Sequence, residues 1–407
     1  MQPSPTIGAQ SKTPDAPALT VVSKKEMPAW LRGLFAGIFL YFFLCAIKVM
    51  GSGLKMVGNA GPWLEDFLAW GDQNPFLALF SSVLITSIVQ SSSFTTSLII
   101  TLVAAGQLKL ETAVFAVMGA NIGTSVTGIV VALINTRIRR QFRRAFTAAL
   151  VHDIFNLLTV ALLFPLEWIT SAFNASGHGF LTQFAIWIAG KMGLSGITNP
   201  TNPISVITGP VKHFLEWVAE KLFSGDLSQG IFLAVLGLVM LFLSLILLVM
   251  NLKGALLSRI EGLFRRVFFR NDLRAYFVGA VTTVLVQSSS VTTSLIVPLA
   301  GAGAVKLKRV FPFMLGANLG TTITGVIAAS ANPVAAAVAV AICHVTFNLI
   351  GTAIWYPLGK VPLGMARWYG KMAARNTKYA ILFLIAVFFI LPVVGIGITQ
   401  LLIWLLA

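Results

Sequence analysis

The sequence predicts an all-α polytopic membrane protein made of two inverted-topology repeats, each with a re-entrant helical hairpin carrying Gln-Ser-Ser-Ser. Three observations lead there: an apolar composition, an internal duplication, and loop charges that reverse between the two copies. Of 407 residues, 57% are hydrophobic and only 10% charged, whereas soluble domains carry about 25% charged residues. One soluble core cannot hide so much apolar surface, so the bilayer must be the solvent for runs such as 231–250 and 380–407. A helix needs roughly 20 apolar residues to cross the hydrocarbon.

Sliding the chain against itself reveals the duplication. A shift of 197 residues superposes 90–128 on 287–325 without a gap, with 21 identities in 39 positions. The identities include Gln-Ser-Ser-Ser at 90–93 and 287–290 and Gly-Ala-Asn at 119–121 and 316–318. After a shortening of five residues, His152 and Asn156 meet His344 and Asn348.

Loop charge sets the orientation, because positive loops stay cytoplasmic. The segment before the first motif, 61–75, holds Glu65, Asp66 and Asp72 and no basic residue, whereas 253–274, before the second, holds six basic and two acidic residues. Beyond the motifs the pattern reverses: 137–144 contains five arginines, and 330–333 is uncharged. The two units are therefore expected to be inverted, as in many secondary transporters.

The elements follow in order. Residues 1–28, rich in Pro, Ser and Thr, are expected to form a disordered cytoplasmic tail. Repeat 1 spans 29–166: an outward helix at 30–50, a hairpin at 76–105, an inward helix at 112–134 and an outward one at 145–166. The hairpin is inferred because each arm, about 13 to 15 residues, is too short to cross, and non-helical backbone at that depth must line a cavity or be buried. Residues 167–229 form a near-neutral external loop. Repeat 2 spans 230–358, with helices at 230–252, 310–329 and 334–357. The stretch 359–407 joins a loop of five basic residues to a final apolar segment in which Pro392, Gly395 and Gly397 permit a bend.

A net charge of +16 does not point to nucleic acid, because the basic residues sit in short loops between apolar runs. Cys45 and Cys343 lie within apolar segments and read as unpaired packing residues. The chain has no Gly-x-Ser-x-Gly elbow, no metal-ligand spacing and no Walker loop, so an enzyme is not expected and no organic cofactor is implied.

The polar clusters carry the chemistry. At a hairpin tip, free backbone N–H groups at a helix start favour an anion, and serine hydroxyls add donors without a fixed cation. Ser91, Ser92, Ser93, Ser288, Ser289 and Ser290 are the candidate oxyanion donors. These donors do not by themselves choose among phosphate, sulfate and a small carboxylate, nor between coupled transport and passive efflux. The segments 121–127 and 318–324 offer oxygens instead, from Asn121, Asn318 and threonines, with a glycine that permits a helix break. Such a set suits a hard monovalent cation. Asp153 is the one acid deep inside an apolar run, and Val345 stands at the matching place in repeat 2. Intramembrane acids are costly and functional by default; this one can bind a cation, relay a proton, or pair with Arg143 or Arg144. His152 and His344 read as helix-packing histidines.

These motifs, followed by Phe-Arg-Arg-Ala-Phe and Val-His-Asp-Ile-Phe-Asn, resemble the type II sodium-dependent phosphate cotransporters over about 30–357. The resemblance implies sodium-driven symport of inorganic phosphate across a lipid bilayer. It marks the six serines as phosphate-binding, and Gln287, Ser288, Thr321 and Thr324 as one sodium site. Asn156 matches a second sodium position, and Asp153 the acid of electrogenic members. Gln90 and Asn135 complete the sodium candidates, Asn135 standing where animal members carry glutamine and Ile138 where they carry aspartate. The external loop lacks the cysteines of animal members, which implies a bacterial member in the inner membrane.

Overall fold

In lipid every backbone polar group must find its partner inside the chain, so apolar runs of this length fold as helices. The computed structural model describes residues 27–59, 74–133, 138–191, 203–267 and 271–406, with 253–267 and 406 as backbone alone, and all regular structure among them is helical. Most of the expected tail, the acidic stretch at 61–73 and Asn135 lie outside the described residues.

Repeat 1 opens with α1 (Ala29–Asn59), followed by the short pair α2 (Pro75–Val89) and α3 (Ser92–Ala104). Next come α4 (Leu110–Thr124), α5 (Val126–Leu133) and the long α6 (Arg139–Ala172). Two helices follow, α7 (Phe180–Lys191) and α8 (Pro203–Leu222). Repeat 2 has the matching series: α9 (Asp226–Val267), the pair α10 (Asp272–Val286) and α11 (Ser289–Ala302), then α12 (Leu307–Ala331) and α13 (Ala335–Trp355). The chain continues through α14 (Lys360–Arg375), α15 (Lys378–Ile385), one π turn (Ala386–Ile390) and α16 (Leu391–Leu406). Among the described residues, seven helical stretches are long and apolar enough to cross a membrane. The protein is an all-α polytopic membrane protein.

Two stretches expected to be loops contain helix. Residues 167–229 hold the end of α6 and all of α7 and α8, and 359–378 hold α14. Glu167 explains part of this. It is buried and accepts from the Leu181 and Thr182 backbone N–H groups at 2.6 and 3.1 Å, and from the Thr182 hydroxyl at 2.5 Å. A carboxylate there satisfies donors that the first turn of α7 leaves free. The final apolar segment is one span with a π turn just before Pro392, which lacks the N–H a regular turn would use.

Glycine decides how the helices meet. A Cβ on Gly119 would overlap the Leu79 carbonyl, and one on Gly316 would overlap the Tyr276 carbonyl. The first helix of each short pair therefore lies backbone to backbone on the helix that follows the pair. The long helices α1 and α9 meet in the same way, a Cβ at Gly53 falling 2.7 Å from the Gly230 carbonyl oxygen. Cys45 and Cys343 are buried and unpaired.

Candidate functional site

Both short helix pairs break at the same motif residue. Gln90 ends α2 with φ 56° and ψ 29°, and Gln287 ends α10 with φ 56° and ψ 25°. They are the only non-glycine residues with positive φ among those described. Left-handed backbone costs an ordinary residue roughly 1 kcal/mol, and both copies of the motif carry that strain at the equivalent position. The next residue is extended in each copy and starts the second arm. Ser91 Oγ accepts from Phe94 N at 3.2 Å, and Ser288 Oγ accepts from Val291 N at 3.3 Å. The first serine of each triplet is thus an N-cap, a role the motif alone did not disclose. Both second arms start at the break, so their N-terminal partial positive charge lies at the motif.

The two motifs, far apart in sequence, are neighbours in space. Ser290 Oγ donates to the Gln90 carbonyl at 3.3 Å. Ser93 Oγ lies 3.3 Å from Thr324 Oγ1, which donates to Gln287 Oε1 at 3.0 Å. Ser92 and Ser289 are buried beside these contacts in the chain. The site therefore presents hydroxyls and helix starts from both repeats, with oxygens of Gln287 and Thr324 alongside. Thr321 lies one turn before Thr324 and bonds back to the Ala317 carbonyl at 3.2 Å.

The symmetry is incomplete. Thr127, the counterpart of Thr324, is a buried hydroxyl without a partner. The helix break expected at the Asn-x-Gly-Thr segments occurs in the first copy only, between α4 and α5 at Ser125. In the second copy α12 runs unbroken through Asn318 to Thr324, with Gly316 and Gly320 facing α10 and Thr321 and Thr322 bonding back within the helix. No backbone carbonyls are freed there.

A polar network lies between the repeats. His152 Nε2 meets Asn318 Oδ1 at 2.5 Å, and Asn318 Nδ2 donates to Asn156 Oδ1 at 2.8 Å. Asn156 Nδ2 in turn donates to the Asn121 carbonyl at 2.7 Å. The mirrored contact, His344 Nε2 to Asn121 Oδ1, is longer at 3.4 Å. Both histidines pack as expected, but each packs on the asparagine of the other repeat, a pairing that sequence reasoning missed. Asn121, Asn156 and Asn318 thus form one cluster.

Asp153 is only 1% exposed, and neither carboxylate oxygen has a hydrogen-bond partner. It faces Ser125 at the helix break, whose hydroxyl donates instead to the Ile122 carbonyl at 2.7 Å. Pairing with Arg143 or Arg144 is not made: both arginines line a cleft with Arg367 and Lys371. A buried acid without a hydrogen-bond partner, facing a serine hydroxyl, fits a cation.

Residues 42–182 and 240–369 match the Na+/Pi-cotransporter family. Sodium-dependent phosphate transport protein 2A of Rattus norvegicus is 32% identical over 435 residues, covering 89% of this chain and 67% of the relative. Sodium-dependent phosphate transport protein 2B of Homo sapiens is 31% identical over 444 residues, covering 89% of this chain and 64% of the relative. The matched regions contain both serine motifs, both Gly-Ala-Asn segments and Asp153, and on that ground the chain belongs to the Na+/Pi-cotransporter family.

Proposed function

We propose that this protein is a secondary active transporter that carries inorganic phosphate by sodium-coupled symport. The observation that carries the reading is the meeting of the two Gln-Ser-Ser-Ser turns, with Ser290 bonded to the Gln90 carbonyl. Two helix starts and their hydroxyls around one point suit an oxyanion that must be released again, because no lysine or arginine among the described residues bonds to either turn. The names of the relatives, sodium-dependent phosphate transport proteins, select phosphate among oxyanions and sodium as the coupling ion.

In this reading α2–α3 and α10–α11 are re-entrant hairpins, reaching mid-membrane from opposite faces in two inverted repeats. Arms of 15 and 13 residues in the first pair and 15 and 14 in the second support it, since roughly 20 are needed to cross. Ser91 to Ser93 and Ser288 to Ser290 hold phosphate. Gln287, Ser288, Thr321 and Thr324 hold one sodium. Gln90, Asn121, Asn156 and Asn318 serve a second, with Asn135 reserved from the sequence pattern. Asp153 makes the cycle electrogenic by binding a further cation. Alternating access rocks the hairpins about the fixed helices, the N-terminus is cytoplasmic, and the membrane is the bacterial inner one.

Uptake of labelled phosphate into proteoliposomes, with and without an inward sodium gradient, tests the proposal. Gradient-dependent accumulation is expected. Equal uptake in both conditions would sink the coupling, and accumulation of sulfate in place of phosphate would sink the cargo.

A further inference from the structure

We propose that the arginine-rich face of the protein holds the phosphate headgroup of an anionic phospholipid in a cleft between α6, the α11–α12 turn and α14. The cleft measures about 370 Å³, and Arg143, Arg144, Lys306, Arg367 and Lys371 line it. No carboxylate lines it, and none of these five is ion-paired with a described carboxylate. Five like charges around one hollow repel one another, and an anion among them removes that repulsion. Arg139, Arg140 and Arg375 border an adjoining hollow that shares Arg143 and Lys371, so the field extends along the face. Arg144 is held toward the cleft: its guanidinium lies against Gly303, whose φ of +81° and missing Cβ leave it room.

The shape of α14 is an independent observation. Its buried face is Pro362, Ala366, Gly370 and Ala373, with Gly370 seated against Thr147 of α6. A second face carries Lys360, Arg367, Lys371 and Arg375. A third is an exposed apolar stripe of Val361, Met365 and Trp368, the tryptophan 66% exposed. At 3.6 residues per turn these are three separate faces. A helix with one packed, one basic and one exposed apolar face lies in the membrane interface, with its tryptophan at headgroup depth. That position sets the basic face among the headgroups at the lip of the cleft. Free phosphate offers the same anion chemistry but nothing to meet the apolar stripe, whereas a lipid supplies both. The loop-charge rule puts this face in the cytoplasm, and anionic lipid is concentrated in the cytoplasmic leaflet.

The test uses the full chain in phosphatidylcholine nanodiscs containing phosphatidylglycerol, followed by native mass spectrometry of the lipid retained in detergent. The parent is expected to retain phosphatidylglycerol in preference to phosphatidylcholine. Arg144→Gln with Lys371→Gln should reduce that retention about thirtyfold. Arg367→Gln with Lys371→Gln, both on the exposed face of α14, serves if the first pair folds poorly. Equal retention by parent and variants overturns the site. Retention that persists in excess inorganic phosphate supports the lipid assignment, and a parent that binds inorganic phosphate but retains no phosphatidylglycerol overturns it.

Discussion

His152 of the first repeat and Asn318 of the second are joined at 2.5 Å, ring nitrogen to side-chain oxygen, in a region sealed from solvent. Removing the asparagine leaves the imidazole and Asn156 both short of a partner. Asn318→Ala should cost about 2 kcal/mol, read as a lowered unfolding temperature of the purified protein. His152→Ala combined with it should cost less than the two single losses added together. The matching cycle at His344 and Asn121, a longer contact at 3.4 Å, should show the smaller coupling. Strict additivity at His152 and Asn318 would mean that the contact does not join the repeats energetically.

The left-handed glutamines make a prediction with a built-in control. Gln90→Gly and Gln287→Gly should each relieve about 1 kcal/mol of backbone strain, and the alanine variants should not. Transport should fall in all four, because each loses the glutamine amide. Thermal unfolding beside phosphate uptake separates the two effects, and equal stability of glycine and alanine variants would remove strain from the account.

The close approach of each hairpin to its following helix predicts steric cost. Gly316→Ala must push α12 away from the Tyr276 carbonyl, and Gly119→Ala must move α4 from the Leu79 carbonyl. Each should cost about 1–3 kcal/mol. Gly364→Ala, with nothing within 4 Å, should be neutral or slightly stabilising. Folded yield and unfolding temperature report the difference.

Asp153 breaks the symmetry, so its removal should change charge rather than abolish recognition. In Asp153→Gly, net charge moved per phosphate should drop to none while phosphate uptake persists. Simultaneous current and tracer measurements decide it. A variant that moves as much charge per phosphate as the parent clears the acid of that role.

Glu216 ties α8 to α1 through Ser52 at 2.5 Å and also meets Lys212 at 3.2 Å. Burial pushes its carboxyl up, but the Ser52 hydroxyl and the Lys212 charge outweigh burial and leave it below the usual carboxylate range. A depressed folded pKa means the contact is fully present above the ordinary value of about 4.3 and is lost as pH falls through the lower folded one. Glu216→Gln should therefore lower stability at neutral pH by about 1 kcal/mol or less, both partners being partly wet. That gap should close in acid.

Much of the architecture is legible in the chain, because lipid permits few solutions and duplication repeats the signal. The polar interruptions at Gln90 and Gln287 give away the short arms, whereas Gly320, read as permitting a helix break, instead lets α12 lie against α10. The helices α7, α8 and α14 were hidden in stretches whose charges read as loop, since none is long and apolar enough to read as a span. The capping role of Glu167 was hidden because its partners lie 14 and 15 residues on. The crossed histidine–asparagine pairs depend on how the halves dock, which no local pattern encodes. Serine triplets announce donors, but not that the first of each also caps its own helix.

A hydroxyl has a single proton to give. While Ser290 directs its proton at the Gln90 carbonyl, it has none for an arriving oxyanion. Once the side chain turns toward that oxyanion, the carbonyl is left bare among helix ends, and a bare carbonyl oxygen is a ligand for a small cation. In the proposed phosphate role of Ser290, one bond rotation would free the proton for the anion and the carbonyl for a cation.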